Sequence, residues 1–274
     1  MKMQTNLLYW FIGFCDAEGN FQVFTKNRTV AEGYSKTYYN VGYGFNLSWH
    51  IRELPLLQYL KKELNLPGLI YVYEHRQEAR LAIVKLEDIK YLLSAIFDAY
   101  PLINENQRQR YYKLNQGLTL NIKRFEAVED YTNFCDSKDY IDPIMENNLK
   151  ILNINSKEYE MWLTGFITGE GNFNIKKIKQ KKKIYMVHEF NIEQADKKVI
   201  ELIKEKLKIS PQIIIKNRPN RKTTYEIRIS SKKDIANLIE LIDRQEIPLL
   251  GNKLNQYKIW KDTPREIIKV EAHC

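Results

Sequence analysis

Cysteine, histidine and long apolar runs are what this 274-residue chain has least of. Its three cysteines, Cys15, Cys135 and Cys274, are odd in number and form no Cys-x-x-Cys pair. That excludes a disulfide scaffold and a zinc ribbon. His50, His75, His188 and His273 show no His-x-x-x-His spacing, so a histidine metal centre is not expected. No stretch reaches the roughly 20 apolar residues of a membrane span. The opening MKMQTNLLYWFIGFCDAEG already carries two acids by Glu18, which argues against a signal peptide. A phosphate-binding Walker A pattern and a Ser, Cys or His nucleophile set are also missing.

What is present is enough apolar matter for ordinary cores, 44% of residues with 12% aromatic, and an excess of base. Lys and Arg number 43 against 34 acids, a net charge of +9. The excess is uneven: residues 1–115 carry net +3, 116–155 net −3 and 156–274 net +9. A basic surface ordinarily serves solubility alone. Concentration in one run, IKKIKQKKKIY at 175–185, makes a polyanionic partner the better reading.

The length favours two domains or one duplicated unit, and a repeat is there. WFIGFCDAEGNF at 10–21 and WLTGFITGEGNF at 162–173 share seven of twelve residues, among them Trp10/Trp162, Gly13/Gly165, Glu18/Glu170 and Phe21/Phe173. Phe45 and Phe190, then Pro101 and Pro248, follow in the same order. Hydrophobic periodicity predicts an apolar helix (6–18; 157–170) and two alternating strands (19–27 and 37–49; 172–179 and 184–194). A helix (54–65; 196–207), two more strands (68–74 and 78–84; 211–217 and 223–230) and final helices (87–98 and 102–115; 232–243 and 249–260) complete each half. The fold class is therefore α+β, a tandem pair of αββαββα units. The N-terminal unit spans 1–115 and the C-terminal unit 156–274. The acidic stretch 116–155, with Asp142-Pro143 and Asn147-Asn148, reads as the linker.

The first helix of each half is apolar nearly all round and should be buried. Gly13 and Ala17, then Gly165 and Gly169, lie four apart on one face, where two backbones can approach closely. The two helices are expected to pack against each other, with Gly19 and Gly171 ending them in a left-handed conformation. Glu18 and Glu170 close these helices at the negative end of the dipole, where an anion is disfavoured. If the helices pair in parallel, two carboxylates converge, a costly cluster unless cations neutralise it. Oxygen-only ligation suits Mg²⁺, Mn²⁺ or Ca²⁺. A single glutamate at a helix end is ordinarily a solvated terminus, and duplication within an apolar motif weakens that alternative.

FIGFCDAEG and LTGFITGEG resemble the two copies of the LAGLIDADG motif, and the chain resembles a single-chain, double-motif LAGLIDADG homing endonuclease. The likeness spans nearly the whole length. It implies pseudo-two-fold symmetry, curved antiparallel DNA-binding sheets, and divalent metal held by Glu18 and Glu170 with the backbone carbonyls of Ala17 and Gly169. It also implies in-line attack by metal-activated water, with cuts on both strands across the minor groove that leave short 3′ overhangs. Mg²⁺ is the expected cofactor, with Mn²⁺ substituting and Ca²⁺ binding without supporting cleavage. The second motif departs from the pattern with Thr168 where the first has Asp16, a position of helix packing and capping. The resemblance further implies a polar residue four past the strand phenylalanine and a lysine five past the helix-preceding proline, both flanking the metals. Gln194 and Lys253 fill these places in the second half, whereas Trp49 and Asn106 occupy them in the first.

Period-two alternation puts Phe21 and Val23 on one strand face and Asn20, Gln22 and Lys26 on the other. Phe173 and Ile175 face away from Asn172, Asn174 and Lys176 in the same way. Asn or Gln can pair with adenine in a major groove, and Arg or Lys with guanine. Asn40, Asn46, Ser48, Arg76 and Arg80 are further candidates in the first half. Asn191, Lys216, Arg221, Thr224 and Arg228 are their counterparts in the second. Any one of these is ordinarily a solvated strand residue; recurrence beside the motif gives the set its meaning. Lys181, Lys182 and Lys183 are expected to grip phosphates.

The expected partner is double-stranded DNA with a long, asymmetric site, read by a monomer with no obligate protein partner and no membrane. An intron maturase or nuclease-inactive nucleic-acid-binding protein of the same fold is the competing reading, which the retained acidic pair disfavours. Abundant Ile, Lys, Asn, Tyr and Phe beside scarce Ala indicate an AT-rich gene, as in organellar genomes. The expected location is the mitochondrion, with the chloroplast as the alternative.

Overall fold

In the computed structural model, residues 2–27, 39–137, 153–180, 183–264 and 268–269 are described. The chain divides into two compact units, one of residues 18–151 and one joining 1–17 to 152–274.

Within 18–151, β1 (Gly19–Asn27) and β2 (Tyr39–His50) form an antiparallel hairpin. α2 (Leu54–Glu63), with Pro55 preset for its first turn, leads to β3 (Leu69–Tyr73) and β4 (Glu78–Ile83). The sheet runs β1-β2-β4-β3 and is antiparallel throughout. α3 (Leu86–Leu92) continues through a π-helical turn at 93–97, and α4 (Glu105–Thr119) begins where the Asn104 side chain caps the Asn106 N–H. These helices cover one sheet face, where Phe21 packs on Phe45, Phe97 and Tyr111 with ring centroids 4.9, 4.8 and 5.8 Å away.

The stretch expected as a linker holds regular structure among its described residues. β5 (Arg124–Phe125) pairs with β2, and α5 (Val128–Asp136) follows it. Phe125 packs on Tyr131 and Phe134, and the Tyr131 hydroxyl donates to the Val23 carbonyl at 3.0 Å. A few aromatics anchor elements too short to show periodicity.

The other unit repeats the plan. α6 (Lys157–Glu170) starts at a Ser156 cap on the Tyr159 N–H and leads into β6 (Asn172–Gln180) and β7 (Lys183–Gln194). α7 (Lys197–Leu207), capped by Asp196, precedes β8 (Ile214–Lys216) and β9 (Thr224–Ile229). α8 (Lys232–Asp243) and α9 (Gly251–Asp262) follow, and β10 (Ile268–Lys269) adds to β7. Its core matches the first: Phe173 packs on Phe190, Tyr257 and Trp260 at 5.1, 5.3 and 5.1 Å.

α1 (Lys2–Glu18) belongs to this second unit through Ala17 and packs on α6. A Cβ on Gly13 would sit 1.8 Å from the Trp162 carbonyl oxygen, and one on Gly165 would sit 1.8 Å from that of Trp10. The two glycines thus let the backbones touch reciprocally, as the sequence predicts. Asp16 is fully buried and accepts from the Trp162 indole at 2.8 Å. Thr168, its counterpart, is too short for that reach and bonds back to the Thr164 carbonyl, while the Trp10 indole donates to the Pro248 carbonyl at 3.1 Å. Gly19 and Gly171 are not left-handed: Gly19 begins β1, and Gly171 is extended with φ −66° and ψ 142°. Glycine at 171 answers a close approach instead, since a Cβ there would meet the Ile167 carbonyl oxygen at 2.6 Å. No described helix is long and apolar enough to cross a membrane.

Candidate catalytic and nucleic-acid-binding site

Glu18 and Glu170 are each the last residue of a motif helix; β1 begins at the next residue after Glu18, and β6 begins one residue later, past Gly171. In the second half the neighbours anticipated from spacing gather at that junction. The Gln194 amide nitrogen donates to a Glu170 carboxylate oxygen at 3.2 Å, while its carbonyl oxygen takes the Ala195 N–H at 2.8 Å. The backbone contact fixes the amide so that its donor end faces the carboxylate. The Lys253 ammonium donates to the Gly171 carbonyl at 2.5 Å, one residue past Glu170. In the first half, Trp49 lies opposite Ala79 on the face shared with Phe45, and Asn106 sits in the first turn of α4. Neither side chain carries a charge.

Among the described residues no group of three or more His, Cys, Asp or Glu could hold a metal by itself. Each helix end offers one carboxylate together with last-turn carbonyls, those of Ala17 and Gly169 among them, which have no partner further along the helix. All these donors are oxygens, and they fit a hard divalent cation rather than a soft one.

The sheet faces turned away from the helices carry the other predicted residues. In the first unit, register places Asn20 opposite Asn46, Lys26 opposite Asn40 and Ser48 opposite Arg80. The Asn46 amide donates to Gln22 at 2.8 Å. In the second unit Asn172, Asn191 and Arg228 form one row, and the Asn172 and Asn174 amides reach Asn191 at 3.2 and 3.5 Å. Lys176 pairs with Glu189 at 2.7 Å. Arg76 and Arg221 are in the turns between β3 and β4 and between β8 and β9, not in strands. Lys181 and Lys182 lie outside the described residues, as does the side chain of Lys183.

Glu193, also on this face, accepts from Lys216 at 2.6 Å, Arg218 at 2.5 Å and Thr224 at 2.6 Å. The Arg218 contact, with Lys216 and Thr224 behind it, outweighs partial burial and holds the carboxyl down at about 2.

The LAGLIDADG endonuclease family model matches residues 11–118 and 163–263, one stretch per repeat. The chain belongs to the LAGLIDADG endonuclease family. Among relatives, "Probable intron-encoded endonuclease Cox1-I1b" of Schizosaccharomyces pombe is 25% identical over 265 residues, 94% of this chain and 64% of that protein. "Probable intron-encoded endonuclease 3" of Neurospora crassa is 24% identical over 90% of this chain and 48% of its own length. The chain thus spans about half to two thirds of these relatives. The Saccharomyces cerevisiae "Uncharacterized mitochondrial protein RF1" is 25% identical over 62% of this chain and 32% of that one. The fold is that of the I-LtrWI LAGLIDADG homing endonuclease, solved bound to target DNA, with TM-score 0.70, 22% identity and 94% and 89% of the two chains covered. I-SmaMI, solved on uncleaved DNA with calcium ions, is similar at TM-score 0.69 and 21% identity over 93% and 89%.

For this LAGLIDADG chain, sequence reasoning about the polar faces passes over their acids. Glu78, Glu189, Glu193 and Glu226 share the open faces with the predicted polar residues. So does Phe24, whose ring occupies the space a Cβ on Gly42 would need. The same period-two count that selects Asn191 and Arg228 also selects these residues.

Proposed function

We propose that the chain is a site-specific, double-strand DNA endonuclease of the intron-homing type that acts as a monomer on a long asymmetric site. Glu18 and Glu170 each contribute a carboxylate ligand, with the carbonyls of Ala17 and Gly169, to divalent metal. Bound there, Mg²⁺ supplies Lewis-acid activation of water and of the scissile phosphate. Gln194 keeps the Glu170 carboxylate oriented. Lys253 places a positive charge at the α6–β6 junction to offset charge building on the phosphate. The open sheet faces read base edges through their Asn, Gln, Arg and Lys side chains, and the 176–183 lysines grip phosphates. The two units, joined through 116–155, read unlike half-sites because their faces differ. The mitochondrion is the proposed location.

The observation that supports this reading best is the convergence of Gln194 and Lys253 on the Glu170 junction. The test is incubation of purified protein and Mg²⁺ with a plasmid carrying the intron-free sequence of the gene that hosts its reading frame. Linearisation at one position is expected. An intact plasmid that is nonetheless bound specifically would point instead to the nuclease-inactive, nucleic-acid-binding reading.

A further inference from the structure

Each sheet carries a Glu-x-Arg on an inner strand, Glu78-Ala79-Arg80 in β4 and Glu226-Ile227-Arg228 in β9, with both charged side chains on the open face. The geometry is the same in both. One oxygen of Glu78 accepts from Arg80 Nε at 2.9 Å and Nη2 at 2.7 Å. One oxygen of Glu226 accepts from Arg228 Nε at 3.1 Å and Nη2 at 2.8 Å. The side of each guanidinium is therefore held, while one hydrogen on Nη1 and one on Nη2 stay directed off its tip. That end-on pair matches the O6 and N7 acceptors of guanine. Tyr73 adds a flat support, its ring 5.4 Å from the Arg80 guanidinium carbon.

Stability does not account for Glu78. Exposed ion pairs such as that of Glu78 contribute little; Glu226 is fully buried opposite Glu193, and Lys216 pairs with both carboxylates, which offsets their like-charge repulsion. Carboxylates on a face that meets a polyanion also weaken phosphate attraction. Glu78 fixes Arg80, and Glu226 fixes Arg228 with one oxygen while the other pairs with Lys216.

The two pairs are not one inherited feature. Phe45 pairs with Ile83, and Phe190 with Ile229, so these rows are equivalent. Arg80 is three residues before Ile83, but Arg228 is one before Ile229. Counted from its own motif glutamate, Arg228 is one same-face row farther out, about 7 Å along a strand or about two base pairs of DNA.

Building on the proposed function, we infer that Arg80 and Arg228 are guanine readers, one per half-site and at unequal distances from the cleavage point. Glu78 and Glu226 are the positioning residues that orient them.

The test is selection of randomised DNA duplexes by the full chain in Ca²⁺, for wild type and for Arg80→Ala, Arg228→Ala, Glu78→Gln and Glu226→Gln. The wild type should enrich one site with a guanine in each half, the one read by Arg228 lying farther out. Each arginine variant should lose its own guanine preference, about 5- to 150-fold, and keep the rest of the site. Each glutamate variant should relax the same position as its arginine while affinity for a scrambled duplex does not fall, and rises if the lost negative charge had opposed phosphate attraction, a readout that a merely structural role would not move. Should Glu226→Gln fail to fold, Glu78→Gln and the two arginine variants carry the test. An enriched site lacking either guanine, or arginine variants that weaken all sequences alike, would overturn this inference alone. Enrichment of no sequence by the wild type would overturn the proposed function and this inference with it.

Discussion

Alanine in place of Gly13 should force the two motif helices apart. Its Cβ would lie 1.8 Å from the Trp162 carbonyl oxygen, whereas ordinary contact begins near 3.4 Å. The obstacle is backbone, so no side chain can turn aside, and the helices must separate by about 1.6 Å. A gap of that size forfeits much of the dispersion contact between surfaces that include Trp10, Phe14, Trp162 and Phe166, all buried. It also stretches the buried bond from the Trp162 indole to Asp16. Overpacking costs about 1–3 kcal/mol, and straining a buried hydrogen bond adds about 1 kcal/mol or more. Alanine returns about 1 kcal/mol through better helix propensity. The net loss should be about 1–3 kcal/mol, which lowers Tm by about 2–12 °C for a chain of this size. Gly165→Ala should cost as much, and the double variant much less than the sum, because one separation relieves both clashes. Gly44→Ala is the control: its Cβ would meet the Phe24 ring at an ordinary 3.5 Å. Thermal and urea unfolding followed by circular dichroism measure all four. A loss below about 0.5 kcal/mol in Gly13→Ala would refute the close-contact argument.

Lys253→Met should slow single-turnover cleavage by about 100-fold with little change in binding, since it removes one charge from beside the reacting phosphate. Asn106→Ala should change the rate far less, and equal mild effects would remove Lys253 from the chemistry. Replacing Lys181, Lys182 and Lys183 together should weaken every sequence alike and flatten the slope of log affinity on log salt by about 2–3; altered base preference would contradict a phosphate-gripping role. The depressed Glu193 carboxyl stabilises the fold fully above its ordinary value of 4.5, and that contribution is lost as pH falls toward about 2. Glu193→Gln should accordingly flatten stability between those pH values, and an unchanged profile would refute the network's contribution.

The motif helices are legible in the sequence because they are apolar on every side and occur twice. Their contact is legible because Gly13 and Gly165 leave a face without bulk. The strands follow from alternation, and the residues that alternation assigns to the open faces lie there in register. β5 and α5 escape notice because two residues show no period and α5 has no buried side chain. Gly171 is misread because glycine after a helix serves either a positive φ or a tight approach, and the type of residue does not say which. Gln194 and Lys253 come from spacing within the family resemblance. Their bonds to Glu170 and to the Gly171 carbonyl depend on how β7 and α9 meet the end of α6, which no local pattern records. The Glu-x-Arg pairs are hidden by chemical expectation, since carboxylates look out of place on a face meant for DNA.

The most direct test of the central claim is cleavage by Glu18→Gln and Glu170→Gln beside the wild type, on the selected target in Mg²⁺, with each strand's nicking followed separately. Each substitution keeps shape and hydrogen-bonding capacity while removing one carboxylate charge. Both variants should bind the target in Ca²⁺ as the wild type does and should fail to cut it. Full cleavage by either variant would contradict the assignment of metal-dependent hydrolysis to the two motif glutamates.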